Sequence, residues 1–360
     1  MEKILRIAVI GTGGMGTNHV RWWAQNPRSA VVALCDLKPE KCAKALEKAA
    51  LSPSTPVYDD YKLLIDREQL DAVDICTSND FHSIIAVYAL EHGLHVFSEK
   101  PDAVNAHEIL RMKEASEKAG KVLMVMRNNR YYANSRYIKQ FIEDGKAGEI
   151  YCGRCGWIRR RGIPGRGGWF TTKAKSGGGP LIDLGVHMID LAIWLMGNPT
   201  PVAVTGCTYN KFADNKAKAD SQHANFGEKV QDGTFDVEDL AMGFIRFDNG
   251  ACLQLEFSWA SNIEKEKRFV ELRGTKAGLN WNEDGSCAIW TEDEHGTLTD
   301  IRPYTGEMGQ GHARALEHFT SIVLDGARPD YVPQQGVNMI RILDALYESA
   351  RTGDAIRLAE

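Results

Sequence analysis

The sequence predicts an α/β chain of two domains, the first on a doubly wound parallel sheet and the second on longer, mostly antiparallel strands. Three observations carry this. Up to about residue 125, short apolar runs alternate with helical patterns, the mark of βαβ units. A glycine-rich turn, Gly11-Thr12-Gly13-Gly14-Met15-Gly16, directly follows the first apolar run. Beyond Arg130 the strands lengthen and alternate, and turns such as Asp248-Asn249-Gly250 suggest hairpins.

Each element follows in order. Ile4–Ile10 is apolar except for Arg6, as befits a strand covered on both faces. Gly14–Asn26 reads as a helix, Ala30–Asp36 as a strand and Pro39–Ala50 as a helix. Strands at Ala72–Cys76, His95–Ser98 and Val122–Met126 alternate with helices at Asp80–His92 and Asn105–Ala119. In the second part, Asn134–Asp144 reads as a helix and Glu149–Arg161 as a long strand. A glycine-rich stretch then leads into a strongly apolar helix from about Pro180 to Met196. Leu240–Phe247, Ala251–Ser258 and Arg268–Arg273 are strands, while Asn210–Thr234 is polar and reads as a loop or insertion. Helices at Ala313–Leu324 and Gly336–Arg351 close the chain. The expected domains are 1–126 and 127–360, the helix 336–351 being free to pack back on the first.

Composition narrows the class. The 360 residues hold 43 Lys and Arg against 48 Asp and Glu, a net charge of −5, which argues against a nucleic-acid partner. No apolar run approaches the roughly 18 residues of a membrane helix, and the N-terminus enters a strand without signal-peptide features. Eight cysteines are too dilute for a disulfide scaffold. The expectation is a soluble cytoplasmic protein without a membrane partner.

The glycine turn fits the dinucleotide fingerprint of a Rossmann domain. Gly11 permits the tight turn, Gly13 lets backbone approach a pyrophosphate, and Gly16 lets the helix pack against the sheet. The second strand ends in Asp36, where an acid hydrogen-bonds the adenosine ribose. That carboxylate favours NAD and disfavours NADP, although Lys38 would soften the repulsion of a 2′-phosphate.

Three further stretches resemble the glucose–fructose oxidoreductase/inositol dehydrogenase (Gfo/Idh/MocA) family. They are Ile75-Cys76-Thr77-Ser78-Asn79-Asp80-Phe81-His82 with Ser98-Glu99-Lys100-Pro101, then Gly177-Gly178-Gly179-Pro180-Leu181-Ile182-Asp183-Leu184-Gly185-Val186-His187, and Val237-Glu238-Asp239 before a strand. The resemblance implies a Rossmann domain followed by an α/β domain with an open, mostly antiparallel sheet. It also implies nicotinamide chemistry on sugars or cyclic polyols and homo-oligomers, dimers or tetramers, packed through that sheet. It assigns His187 as general base, Asp183 as the group orienting it or the substrate, and Lys100 as hydrogen-bond donor to the reacting oxygen. Thr77, Ser78, Asn79, His82 and Glu99, with Asn128 in the turn to the second domain, would surround the nicotinamide ribose. Gly14 and Met15 complete the pyrophosphate turn. Residue chemistry agrees: Asp183 and His187 are four apart on one helix and share a face, and a histidine can take a hydroxyl proton near neutral pH.

Other features have two readings. In an extended strand, Trp157, Arg159 and Arg161 share one face. They would hold an anionic sugar by bidentate contacts, or form salt bridges at an interface or in solvent. Trp169 would stack on a sugar face. His312 either lines the substrate pocket or merely opens a helix. Trp22 and Trp259 read as packing residues. Cys152 and Cys155 are a CxxC without a partner pair, and their odd spacing points them to opposite faces of a strand. Asp183, His187 and Asp190 have no supporting histidine cluster, so no metal is expected.

The resulting expectation is an NAD-dependent oxidoreductase acting on a secondary hydroxyl or ketone of a sugar, sugar derivative or cyclic polyol. Two rivals stand beside it. One is an NAD-dependent glycosidase working by transient oxidation and elimination. The other is a non-catalytic nucleotide-binding sensor, which would have no use for Lys100, Asp183 and His187.

Overall fold

The computed structural model describes residues 3–213, 220–224, 226–306 and 309–358. The chain divides into two compact units, one of residues up to Met126 with His312–Val337, the other of Arg127–Gly311 with the chain from Asn338.

The first unit is a six-stranded sheet of β1 (Leu5–Ile10), β2 (Ser29–Cys35), β3 (Val57–Tyr58), β4 (Ala72–Ile75), β5 (His95–Ser98) and β6 (Leu123–Val125). Its order, β3-β2-β1-β4-β5-β6, is parallel throughout. The chain reverses its direction of travel between β1 and β4, and ligands bind at the carboxyl ends around such a point. The helices are α1 (Gly14–Gln25), α2 (Pro39–Lys48), α3 (Tyr61–Arg67), α4 (Asn79–Glu91) and α5 (Ala106–Ala119). Leu5, Ile7, Ala8 and Val9 are fully buried, which accounts for the unbroken apolar run of β1. The sequence reading passed over β3 and α3, because two residues of strand have no measurable period.

The second unit begins with α6 (Ala133–Glu143) and a strand that ends sooner than expected, β7 (Ile150–Ile158). A four-residue α7 (Lys173–Ser176) precedes the apolar helix. That helix is not uniform: Leu181–Gly185 winds as a wide π turn before α8 (Val186–Leu195). The stretch Lys173–Leu195 is apolar enough by composition to span a membrane, a feature the sequence reading did not register, yet 89% of its most apolar window is buried inside the unit as a core helix. The strands β8 (Pro201–Tyr209), β9 (Leu240–Phe247), β10 (Cys252–Ser258), β11 (Lys267–Gly274), β12 (Ala277–Asn282), β13 (Cys287–Glu292) and β14 (Leu298–Ile301) follow. Helices α9 (Gly311–Asp325) and α10 (Pro333–Thr352) and strand β15 (Ile356–Arg357) close the chain. The sheet order is β14-β13-β12-β11-β7-β10-β9-β8-β15, antiparallel except for β7 beside β10. Helix α8 packs across β7 and β11 on one face. The described part of 210–234 contains no helix or strand; residues 214–219 and 225 lie outside the described residues.

The expected domain 127–360 needs correcting. Segment 312–337 belongs to the first unit, whereas most of the helix expected at 336–351 belongs to the second. The amphipathic pattern showed that both helices have a buried face but not which core receives it. Phe319 on α9 meets Trp23 at 6.2 Å and Phe97 at 5.4 Å between ring centroids. On α10, Leu346 fills the space left by Gly206 and Gly243, where an added Cβ would fall within 2.7 Å of it.

Candidate active site: a nucleotide half and a substrate half

The nucleotide half is made largely of backbone. Gly11 has φ +90, and a Cβ there would meet the Cys76 carbonyl at 2.6 Å. A Cβ on Gly16 would fall 1.9 Å from the Gly11 carbonyl, so this glycine sets how closely α1 approaches the turn. Gly13 and Gly14 differ: among the described residues, nothing beyond their chain neighbours and the turn of helix itself lies within 4 Å of where their Cβ would be. Helix α1 starts at Gly14 with no side chain capping its amides. Open space before an uncapped helix N-terminus fits a pyrophosphate. Asp36 is held at the end of β2 by the amides of Thr12 (2.8 Å) and Lys38 (3.0 Å). Thr12 is itself buried, with its hydroxyl also on Asp36 (3.2 Å), so it orients that acid. Met15 is 41% exposed. These residues fit a dinucleotide.

The loop after β4 carries Thr77 and Ser78, with Asn79 opening α4. His82 departs from expectation. It is fully buried, its ring nitrogens 3.0 Å from the Pro101 carbonyl and 3.3 Å from the Thr77 carbonyl, and burial lowers its pKa. It therefore ties the Thr77 loop to the turn after β5 rather than facing a cofactor.

The same turn carries Glu99 and Lys100, and behind it lies a network the sequence reading missed. His19 on α1 is fully buried, Nδ1 2.7 Å from Asp74 and Nε2 2.9 Å from Glu99. Burial alone would lower its pKa, but Asp74 raises it well above the ordinary value, so both nitrogens donate as an imidazolium. Burial alone would raise the Glu99 carboxyl; the His19 hydrogen bond and charge, with His312 and Lys100, bring it down to about 2. The other Glu99 oxygen accepts the Lys100 amide at 3.1 Å. Trp23 donates to Asp74 at 2.6 Å. His19, Asp74 and Cys76 place donor atoms within 4.8 Å of one another, yet both imidazole nitrogens already face carboxylates, which makes this a hydrogen-bonded ion network rather than an open ligand set. His312, opening α9, stacks on Trp22 at 5.0 Å, so it stands in the first unit near Glu99.

The substrate half is built on the helix of the second unit. Glu238, from the third family-like stretch, accepts the amides of Gly179 (2.9 Å) and Leu181 (3.1 Å), capping the helix that bears Asp183 and His187. Tyr347 on α10 donates to the same carboxylate at 3.0 Å. Burial raises the Glu238 pKa, opposed by these hydrogen bonds. Asp183 is nearly buried and accepts Trp259 Nε1 at 3.0 Å. Trp259, read from sequence as packing, thus fixes a site carboxylate. His187 is half-buried with its ring 6.0 Å from that of Trp157, and its carbonyl accepts from Asn129 at 3.2 Å. One turn on, Asp190 takes both Arg130 Nε (2.8 Å) and Nη2 (2.6 Å), while Arg127 stands at 2.9 Å, so its oxygens are engaged by cations. Asn128 lies in the 3-10 turn Asn128–Tyr131 of this unit, and its buried Oδ1 has no hydrogen-bond partner among the described residues.

The arginine run separates into different roles. Because β7 ends at Ile158, the expected shared face of Trp157, Arg159 and Arg161 does not continue to Arg161. Arg161 forms an isolated bridge to Ala260 and bonds the Ser261 carbonyl (2.9 Å) and Asn262 (2.7 Å). Its donors hold a loop, so it is withdrawn as a substrate residue. Arg159 remains beside Trp157, its guanidinium 4.9 Å from a Trp157 ring centre. Trp169 stacks on Phe170 at 3.7 Å, which occupies one face of its indole. Arg268, not singled out from sequence, stands opposite Trp157 on β11.

Comparison with known proteins agrees with this layout. Residues 5–127 match an oxidoreductase family with an NAD-binding Rossmann fold, and residues 135–280 match the GFO/IDH/MocA C-terminal domain. The chain is 32% identical over 356 residues to D-glucoside 3-dehydrogenase of Escherichia coli (strain K12), covering 98% of this chain and 97% of that one. Over 154 residues, 41% of this chain and 33% of the relative, it is 36% identical to glycosyl hydrolase family 109 protein 1 of Bacteroides thetaiotaomicron. Levoglucosan dehydrogenase in complex with NADH and levoglucosan shares the fold, with a TM-score of 0.87 at 24% identity over 99% of this chain and 100% of that one. With both halves of the chain matched, the protein belongs to the Gfo/Idh/MocA family of NAD-binding oxidoreductases.

Proposed function

We propose that the protein transfers hydride between NAD and a secondary hydroxyl or ketone of a sugar, sugar derivative or cyclic polyol. The observation that carries this reading is the pair Asp183 and His187 on one capped helix, in a chain that also bears the glycine cradle and Lys100. Bound NAD supplies the hydride acceptor. The remaining work falls to the chain's own residues. Lys100 donates a hydrogen bond to the reacting oxygen and stabilises its developing charge. His187 accepts the hydroxyl proton, and Asp183, held by Trp259, orients that exchange. Glu99 holds the Lys100 backbone through its amide. Asn128 offers its unpartnered Oδ1 to a ligand donor. The Asp36 carboxylate supports NAD over NADP.

The likeness to a glycosyl hydrolase family 109 protein favours a second reading, redox-neutral glycoside cleavage by transient oxidation. One experiment separates them: nicotinamide absorbance and aglycone release on mixing protein, NAD, sugars, inositols and glycosides. Accumulating NADH supports the dehydrogenase; aglycone release without it overturns that reading in favour of the glycosidase.

We further infer a cytoplasmic, homo-oligomeric protein. All eight cysteines are free thiols, as suits a reducing compartment, and burial pushes Cys35 up to about 12. The sheet face away from α8 carries Trp290, 42% exposed, which supports a second copy packed there. Light scattering should give two or four chains.

A further inference from the structure

Among the described residues, two guanidinium groups on the α8 face of the second sheet have no acid paired with them. Arg268 on β11 stands directly opposite Trp157 on β7, and Arg159 follows Trp157 by two residues. Their guanidinium carbons lie 4.1 Å and 4.9 Å from Trp157 ring centres. Arg159 donates Nη1 to the Gly162 carbonyl at 3.2 Å. Arg268 donates Nη2 to Asn129 Oδ1 at 2.6 Å and points Nε at Met188 Sδ, 3.5 Å away. A guanidinium has five N–H donors, so most remain open. Among the described residues neither group forms an ion pair; Asp183, Glu266 and Glu283 act on Arg159, and Glu283 on Arg268, as longer-range attractions.

The opposite face of β7 shows the contrast. There Arg154 is paired by two hydrogen bonds with Glu271, at 2.5 and 3.0 Å. A cross-strand acid thus answers Arg154, and among the described residues none pairs with Arg159 or Arg268. Partly desolvated like charges near each other are costly unless an anion meets them. The open donors also lie where a substrate would. Trp157 faces the His187 ring, and Met188, beneath Arg268, is the next residue after His187.

We infer that Arg159 and Arg268 form a clamp for an anionic substituent, carboxylate or phosphate, carried by the sugar. The clamp rests on the reading of the protein as a sugar oxidoreductase, and it makes the substrate class an acidic or phosphorylated sugar. Trp157 sets the spacing of the two guanidinium groups and offers an apolar wall to the ring.

The test uses the NAD-loaded full chain at low salt with matched pairs: methyl β-D-glucuronide against methyl β-D-glucoside, and glucose 6-phosphate against glucose. NADH formation and calorimetric binding are measured for each. The expected result is a preference of about tenfold or more for the anionic member of a pair. Arg159→Gln and Arg268→Gln should each erase most of that preference, and Arg268→Lys should retain part of it. Equal or better use of the neutral members, or an equal loss of both in the variants, overturns the clamp. If no pair yields NADH, the oxidoreductase reading fails on this panel and calorimetry decides the clamp alone. Anion-selective binding lost in the variants then supports it, and unselective or absent binding overturns it.

Discussion

The nucleotide half and the substrate half are built from different materials. The first is six contiguous residues, Gly11 to Gly16, whose work is done by backbone amides, missing Cβ atoms and a helix end. The second joins side chains far apart in sequence: Trp259 reaches Asp183 across 76 positions and Arg268 reaches Asn129 across 139. A pyrophosphate asks for the same amides whatever the substrate, so a short loop suffices. A substrate asks for a particular arrangement of donors, which only a sheet and a helix packed together can supply.

Three changes test this contrast, in decreasing order of effect. Lys100→Met should lower kcat by about 10²–10⁴-fold, the range for a lost proton-transfer or charge-stabilising group, while the NADH dissociation constant read by fluorescence moves little. Collapse of NADH affinity with kcat kept would move Lys100 wholly into the nucleotide half. Next, His19→Asn should destabilise the protein by about 3–5 kcal/mol, because it strips a buried cation from between two buried acids. The gap should depend on pH with a defined sign. Glu99, depressed to about 2, contributes stability present above its unfolded pKa of about 4.3 and lost as pH falls below it. His19, raised in the folded state, contributes stability fully present below about 6.5 and lost as pH rises through its folded pKa. Urea midpoints of wild type and variant should therefore differ most between about pH 4.5 and 6.5. A gap independent of pH would show that His19 acts by packing alone. Smallest is Gly13→Ala. Its Cβ meets nothing among the described residues beyond its own turn, so the melting temperature should hold while NAD binding weakens about tenfold, by crowding the pyrophosphate. A large loss of melting temperature would mean that the turn, not the ligand, requires this glycine.

The same contrast explains what was legible in the sequence. Gly11, Gly13 and Gly16 were legible because their spacing lies on one short stretch, and Asp36 because it ends the strand that follows. The parallel sheet was legible from alternating apolar runs, except where β3 and α3 were too short to show a period. Asp183 and His187 stood out as candidates through the motif that carries them. Trp259 and Arg268 were not, since no local pattern says which strand stands beside another. Arg161 was misassigned for a related reason: alternation was carried three residues past the end of the strand. His82 and His19 exchanged expectations. A histidine in the family-like stretch proved to be an internal tie, and one in the middle of α1, unremarkable in sequence, proved to set the charge of Glu99.

The return of residues 312–337 to the first unit has a consequence for biosynthesis. A chain emerging from the ribosome has the whole parallel sheet by residue 126, but Trp23 and Phe97 still lack Phe319, which is fully buried in the finished unit. The nucleotide-binding half is therefore completed only after almost all of the second unit has been synthesised. A chain truncated at residue 311 would show an unfinished apolar surface, open to chaperones, while the full chain released from the ribosome would not.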